Sequence, residues 1–382
     1  MEIQQRKFSK TGSWEILSNT HSSGINFDLV LVFGDTEIIA ESGFYQTLRK
    51  DYPEAQILMS STAGQIYGST LCEKTVVATA IHFDKSKVSS ASVSLKTQSG
   101  SKMAGLALAR QIDPKGLKSI FVVSDGLLVN GSALVEGMEN ELPPETIITG
   151  GLAGDSNRFN HTLVGLNMAA EEGTIAAVAF YGDNLEVACG NCSGWVPFGT
   201  QRQITHSVGN VLYEIDGKPA LELYKTYLGE LANDLPSSGL LFPLEINSGT
   251  QNTVVRTLLS VNEADKSMVF AGDIPKGTYA RLMQTNCDKL IQGAGTAAEK
   301  CLQNSSSTPE LALLTSCVGR KMVMGPRTEE ELKAVQHVLG GRTRLAGFYS
   351  YGEISPVKSK TKSGLHNQTM TVTTFSERTR NE

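Results

Sequence analysis

The sequence predicts an α+β fold of two domains, with mixed β-sheets flanked by helices and βαβ-like units that end in Gly-rich loops. Three observations support this. Residues 29–64, 120–155 and 311–353 each read as strand, helix, strand and small-residue loop, an internal repeat. The middle of the chain, 162–205, is β-rich, with short apolar runs between turn residues. At 382 residues the chain is also long enough for two domains.

In the first unit, residues 29–33 form a continuous apolar run, the mark of a strand buried on both faces, stopped by Gly34 and Asp35. Within 36–50, Ala40, Phe44 and Leu48 recur four apart as one stripe of a helix. Arg49 and Lys50 close it where the helix dipole favours cations, and Pro53 ends it. The second strand, 57–60, runs into Ser60, Ser61, Thr62, Ala63 and Gly64. Residues 75–83 and 88–95 alternate apolar and polar around Asp84, Lys85 and Ser86, which predicts an antiparallel pair.

A helix over 101–112, stopped by Asp113 and Pro114, leads to the second unit. There the strand 120–123 meets Ser124, Asp125 and Gly126; Leu134, Met138 and Leu142 mark a helix face; and 146–149 runs into Gly150, Gly151, Leu152, Ala153, Gly154 and Asp155. Strands at 174–181 and 185–189 flank Gly182 and Asp183, a hairpin signal. Residues 219–228 predict a helix, 233–239 a boundary or long connection, and 253–261, 267–271 and 278–283 a three-stranded meander.

The helix over 288–302 carries Leu290, Ala294, Ala297, Ala298 and Cys301 on one face. In the third unit, Thr328 and Glu331 have capping-box spacing, Leu332, Val335 and Leu339 form the apolar face, and Gly340 and Gly341 stop the helix. The strand from Arg344 breaks at Gly347 and Gly352, leaving Tyr349, Tyr351 and Glu353 near a turn. A strand that ends in glycines, aromatics and one acid suits a ligand wall. Residues 368–375 predict a last strand, and 376–382 a frayed polar tail.

A net charge of -5 argues against a sequence-independent grip on nucleic acid, which needs clustered Lys and Arg. The one basic cluster, Lys358, Lys360 and Lys362, falls in a Ser/Thr loop and reads as solvated. No run approaches the roughly 18 apolar residues of a membrane span. Residues 1–10 are polar and lack the apolar core of a signal peptide, so a cytoplasmic location is expected. Six cysteines, at 72, 189, 192, 287, 301 and 317, are scattered as reduced thiols.

Small residues at strand ends let backbone N–H groups face a carboxylate or phosphate, and Ser60, Ser61 and Thr62 add hydroxyls. Arg320 has the fork to hold a ligand carboxylate, or else to cap the last carbonyls of a strand or pair internally with Glu353, and Asp155 or Glu353 suits an ammonium. On that reading, Arg320→Ala or Glu353→Ala should abolish binding without unfolding the protein. Tyr349 and Tyr351 alternate with Phe348 and Ser350, so only one of the two strand faces can point at a pocket. Cys189 and Cys192 form a CxxC with no helix signal after it, and no second Cys or His pair completes a zinc site. His82, His161, His206, His337 and His366 do not cluster, although haem needs only one axial histidine. The run Gly293-Ala294-Gly295 lies inside a helical pattern and is no dinucleotide fingerprint.

Several of these stretches, in this order, resemble one family. They are 29–35, 60–66, Ser124-Asp125-Gly126, 150–155 and Gly194-Trp195-Val196-Pro197, then Ser316-Cys317-Val318-Gly319-Arg320, 347–356 and Leu365-His366-Asn367. The chain is similar to the FIST family, named for F-box and intracellular signal transduction, over about residues 27–366. The resemblance implies an FIST N-like sensory domain at 27–218 and an FIST C-like domain at 219–366. It implies an intracellular module that binds a small ligand, amino acids being proposed, and has no catalytic residue. Other members look like haem-linked nitric oxide sensors, which leaves haem as an alternative, and thiol redox chemistry through Cys189 and Cys192 is a third. No F-box, kinase, cyclase or receptor segment is present, so output would pass to a separate protein such as a histidine kinase or a cyclic-nucleotide enzyme. The residues expected at the ligand are Ser60, Ser61, Thr62, Gly64, Gly150, Gly151, Gly154, Asp155, Cys317, Arg320, Tyr349, Tyr351, Glu353, His366 and Asn367.

Overall fold

A computed structural model describes residues 1–9, 13–19, 25–247, 253–357 and 362–378. Lys358 and Lys360 of the basic cluster, and the tail from 379, lie outside the described residues. The fold is α+β, with three six-stranded mixed sheets and one eight-stranded sheet.

The three sequence units build the three smaller sheets. At each centre lies a parallel pair joined through helix: Leu29–Gly34 with Gln56–Ser61, Leu117–Ser124 with Ile147–Leu152, and Leu311–Cys317 with Arg344–Ser350. Their nearly continuous apolar runs fit strands covered on both faces. The next strand of each unit leaves its own sheet. Gln65–Tyr67 joins the third unit's Arg344–Ser350, Gly352–Pro356 joins the second unit's Ile147–Leu152, and Val164–Leu166 joins the first unit's Gln56–Ser61. The exchange is a closed cycle that locks the three units into one body.

A return strand then lies antiparallel on each unit's own first strand: Thr75–His82, Thr174–Tyr181 and Met370–Glu377. The outer edges are covered by Glu2–Ser9, Lys87–Ser94 and Leu185–Cys192 in turn. Neither expected hairpin forms, because residues 84–86 and 182–183 each carry the chain from one sheet to the next. Alternation predicts a half-buried strand but not its partner. The polar start is a strand between Thr75–His82 and the edge strand Trp14–Asn19, with Ile3 and Gln5 buried, and its amino group meets Glu310 at 2.9 Å and Asp84 at 3.0 Å.

Three other local expectations change. The helix expected over 36–50 is two pieces, Thr36–Ile39 and Phe44–Asp51, with Gly43 at φ 90° before the second. Thr328 opens its helix but Arg327 is the cap position, and Glu331 turns inward. Ser376 and Glu377 are in the last strand, where Glu377 accepts from the Ser86 amide at 2.7 Å.

One phenylalanine from each unit meets at the centre of the body. Phe33 stacks on Phe348 at 4.6 Å and meets Phe121 edge-on at 6.5 Å, all three buried. Removing such a ring costs about 3–5 kcal/mol, and Phe33→Ala would take away both ring contacts at once.

The second domain is inserted between the second and third units. Its strand order ends with Thr253–Arg256 at one edge and Leu258–Asn262 at the other, so Thr257 joins the two edges and the sheet curls around Leu212, Ile246, Met268 and Phe270. The expected meander is therefore partial: Ser267–Phe270 pairs with Leu258–Asn262, whereas Tyr279–Gln284 pairs with Leu244–Asn247 and Val196–Val208. The division expected at 218 and 219 falls inside this barrel, as do residues 233–239.

Candidate functional site

The three small-residue loops converge. The Ala63 amide donates to the Tyr349 carbonyl at 2.8 Å, that of Tyr351 to Leu152 at 3.1 Å, and that of Gly154 to Ser61 at 3.1 Å, a ring of one hydrogen bond per unit. The first strands end in step: Asp35, Asp125 and Cys317 donate their amides to the carbonyls of Thr75, Thr174 and Thr369. Gly150 and Gly347, at φ 137° and 152°, are needed here, since a Cβ on either would stand 1.9 Å from a carbonyl oxygen of the neighbouring strand.

Around the ring most polar side chains are satisfied within the protein. Ser60 Oγ donates to the Ser61 carbonyl, Ser61 Oγ accepts from the Leu163 amide at 2.8 Å, and Thr62 Oγ1 accepts from Gln65 Nε2 at 2.8 Å. The Gly64 carbonyl takes the Tyr349 amide, and Gly151 lies opposite Glu353 in the ladder. Asp155 accepts from Thr36 Oγ1 at 2.9 Å and Arg158 Nε at 2.7 Å.

Arg320 is fully buried, and all five of its N–H groups are engaged. Nε and Nη2 reach Glu331 Oε2 at 3.0 and 2.7 Å, and Nη1 and Nη2 also donate to the carbonyls of Ser193, Gln368 and Leu290. Tyr349 Oη and Ser316 Oγ donate to the other Glu331 oxygen. The internal partner of Arg320 is thus Glu331 rather than Glu353, and no N–H is left for a ligand. The expectation that Arg320→Ala leaves the fold intact is corrected too, since the change strands a buried carboxylate.

Glu353 has its own surroundings. It is 0 % exposed and accepts from Ser350 Oγ at 2.8 Å, the Thr369 amide at 3.0 Å and Thr369 Oγ1 at 2.9 Å. Burial outweighs those donors and pushes its carboxyl up to about 7. His366 faces it across the ladder, with Nε2 3.1 Å from the Ser355 carbonyl, and burial pushes that imidazole down to about 4. Burial, with Glu353 adding, raises the Cys317 thiol, which stays protonated. Beside them Asn367 and Gln368 are buried with both polar atoms of each side chain unpartnered. Each such atom carries a desolvation penalty of about 1–3 kcal/mol, and these amides are the least satisfied groups of the junction. Sequence reasoning named His366 and Asn367 of this buried layer but not Ser350, Gln368 or Thr369; the available signal was a polar run entering a buried strand.

Next to this layer a cleft of about 260 Å³ opens between the three-unit body and the barrel. Its body side is residues 126–131 with Leu152, Phe159, Tyr351 and Leu365, and its barrel side is Asn210, Leu259 and residues 270–272. Asp125 shapes the entrance by accepting from the amides of Leu127 and Leu128 at 2.8 and 2.9 Å, leaving those side chains 40 % and 57 % exposed. Tyr349, inside the strand, reaches Glu331, whereas Tyr351 follows the strand's end at Ser350 and turns to the cleft, where its ring stacks on Phe159 at 4.4 Å. Of the expected site residues, Tyr351 alone lines the cleft. Leu127, Leu128, Phe159 and Leu259 were not foreseen, because exposed apolar residues in a loop carry no local mark of a shared wall.

Cys189 and Cys192 lie in one continuous strand, Leu185–Cys192, so the odd spacing puts them on opposite faces. Burial raises the Cys189 thiol further out of reach of reactivity. Among the described residues no three His, Cys, Asp or Glu side chains are grouped for a metal. None of the five described histidines lines the cleft, and His366 is engaged with the Ser355 carbonyl, so the residues present do not fit an axially ligated haem there. No helix of the described residues is long and apolar enough to cross a membrane.

A model of the FIST N domain matches residues 28–218 and one of the FIST C domain residues 220–356. An uncharacterized protein of Methanocaldococcus jannaschii is 27 % identical over 190 residues, covering 42 % of this chain. The match takes in 36 % of that relative, so the chain spans about a third of the length of the curated relative it matches. Among solved structures, a cyanuric acid hydrolase from A. caulinodans is similar over 99 % of this chain and 100 % of its own, at 9 % identity and a TM-score of 0.35, a likeness too distant to carry an argument.

Proposed function

The chain belongs to the FIST family, whose domains are signalling sensory domains, and from that premise we propose a non-enzymatic sensor for a small, amino-acid-like metabolite. The ligand sits between body and barrel, and output passes to a separate protein such as a histidine kinase or a cyclic-nucleotide enzyme. The observation that carries this reading is the cleft itself, at a domain junction and floored by strand ends of the second and third units. A ligand that touches both domains favours one relative placement over another, and that differential contact is what a sensor needs.

The nucleophile candidates weigh against catalysis. The Cys317 thiol is buried and protonated, and Ser61 Oγ is engaged by an amide. A thermal-shift screen of the twenty amino acids and common metabolites tests the proposal, because a ligand bound only by the folded state raises Tm. At least one compound should raise Tm, and Leu128→Trp, which fills the cleft from an exposed position, should erase that shift. A silent screen sinks the reading, as does a shift indifferent to Leu128→Trp. A Soret band in purified protein would instead revive the haem alternative.

A further inference from the structure

We propose that Arg256 and Asp273 are the pair that reads the two charged ends of the ligand, and that the ligand is an α-amino acid. This rests on the sensory reading above and names the place and the chemical class.

Arg256 is 6 % exposed, and its guanidinium donates only to carbonyls: Asp273 at 3.1 Å, Leu365 at 3.0 Å and Val255 at 3.3 Å. Among the described residues no carboxylate lies within ion-pair distance of it. Arg320, equally buried, shows the usual solution, a carboxylate in contact with the fork. A buried cation without a counter-ion costs several kcal/mol, and among the described residues Arg256 is such a cation, with no carboxylate in contact. Burial pushes it down to about 10, against the pull of Asp273.

Its position points to the cleft. The guanidinium lies between Leu365 and Gly272, two residues of the cleft wall. It occupies the space that a side chain at 272 would need, since a Cβ there would stand 2.8 Å from Nε and 2.9 Å from Cζ. Gly131, on the opposite wall, opens a nine-residue helix whose dipole also favours an anion. Asp273 follows Gly272, half-buried, with Oδ1 accepting from Asn130 Nδ2 at 3.0 Å. Cation and carboxylate thus stand next to Gly272, just behind one edge of a hollow whose wall also carries Leu127, Leu128, Leu259, Phe270, Asn210 and Tyr351.

Calorimetry on the full chain with L-leucine and L-phenylalanine, beside leucinamide and 4-methylpentanoate, tests this. One of the amino acids should bind at least about tenfold tighter than its carboxylate-free or ammonium-free analogue. Arg256→Met should abolish discrimination against the amide, and Asp273→Asn, which spares the buried charge, should abolish discrimination against the desamino acid. The proposal is overturned if an analogue binds as tightly as its parent, or if Asp273→Asn leaves the preference untouched. If neither amino acid binds while another compound from the screen does, this assignment fails and the sensory reading stands; a silent screen removes both.

Discussion

Gln65 in the first unit and Glu353 in the third occupy the same place in the repeat, each one residue before the isoleucine that docks opposite a glycine of the neighbouring sheet. The frame around them is the same as well. Gln65 Nε2 donates to Thr62 Oγ1 at 2.8 Å and Oε1 accepts from Thr75 Oγ1 at 3.3 Å; Glu353 accepts from Ser350 Oγ at 2.8 Å and Thr369 Oγ1 at 2.9 Å. Both are buried, yet the amide bears no charge and the acid holds its proton up to about 7. The scaffold therefore does not require a carboxylate at this position. The third unit adds ionisable chemistry that the first does without, and the same contrast separates neutral Ser61 from Tyr349 with its Glu331–Arg320 pair.

The harshest way to probe that contrast is to break the buried pair. Arg320→Ala leaves Glu331 uncompensated and should cost about 3–5 kcal/mol, read as loss of soluble protein or a lowered urea midpoint. Ser61→Ala, at the neutral counterpart, should cost only about 1–3 kcal/mol. Equal losses would mean that the charges of the third unit carry no special burden.

Glu353→Gln imports the first unit's solution into the third. Burial raises the carboxyl from 4.5 to about 7, so ionising it costs the folded state about 3 kcal/mol. The sign follows from proton binding: the raised group favours folding fully below pH 4.5, and that advantage is gone once the pH has risen through 7. The variant should match the parent near pH 4.5 and exceed it by about 3 kcal/mol at pH 8 in urea unfolding, provided the amide donates to Ser350 as Gln65 does to Thr62. Equal stability of the two proteins at pH 8 would show that Glu353 is ionised and compensated in the folded state.

What the sequence made legible here was local. The apolar runs of the parallel strands, their glycine ends and the three-unit repeat depend on residue order alone, and the structure contains each of them. Partner choice depended on distant sequence and was not legible, so residues 84–86 read as a hairpin although they pass between sheets. Glu331 has capping-box spacing, and only the arrival of Arg320 and Tyr349 from other elements makes it a core residue. Strand alternation put Tyr349 and Tyr351 on one face, and the structure parts them because the strand ends at Ser350 and the chain turns at Tyr351. Arg256 looked like an ordinary strand residue, because nothing near it in sequence tells of its burial.

The converse exchange, Gln65→Glu, should be gentler. The new carboxyl would meet the same hydroxyl frame, but Lys321 Nζ lies nearby, donating to the Ala63 carbonyl at 2.7 Å. A cation at that range offsets part of the desolvation, so the loss at pH 8 should be about 2 kcal/mol and should shrink toward pH 4.5. A loss that is the same at both pH values would assign the cost to packing rather than to charge.

The smallest effect concerns the parent protein, and it arises because Glu353 and His366 face each other with opposite shifts. His366 is lowered from 6.5 to about 4, so its contribution is full above pH 6.5 and is lost as the pH falls toward 4. Glu353 works the other way between 4.5 and about 7. Over the shared window, pH 4.5 to 6.5, the slopes cancel, since one group loses a proton on unfolding while the other gains one. Only the unshared half-unit at each end is left, worth about 0.7 kcal/mol: a slight rise from pH 4 to 4.5 and a slight fall from 6.5 to 7. Glu353→Gln removes one member and should expose the other as a climb of about 3 kcal/mol from pH 4 to 6.5. Arg320 and Arg256, the cations acting on Glu353 and His366 respectively, are unchanged in that variant, so the climb belongs to His366. A flat curve for Glu353→Gln would mean that the imidazole is not held neutral by burial, and that the quiet profile of the parent has some origin other than two opposed titrations.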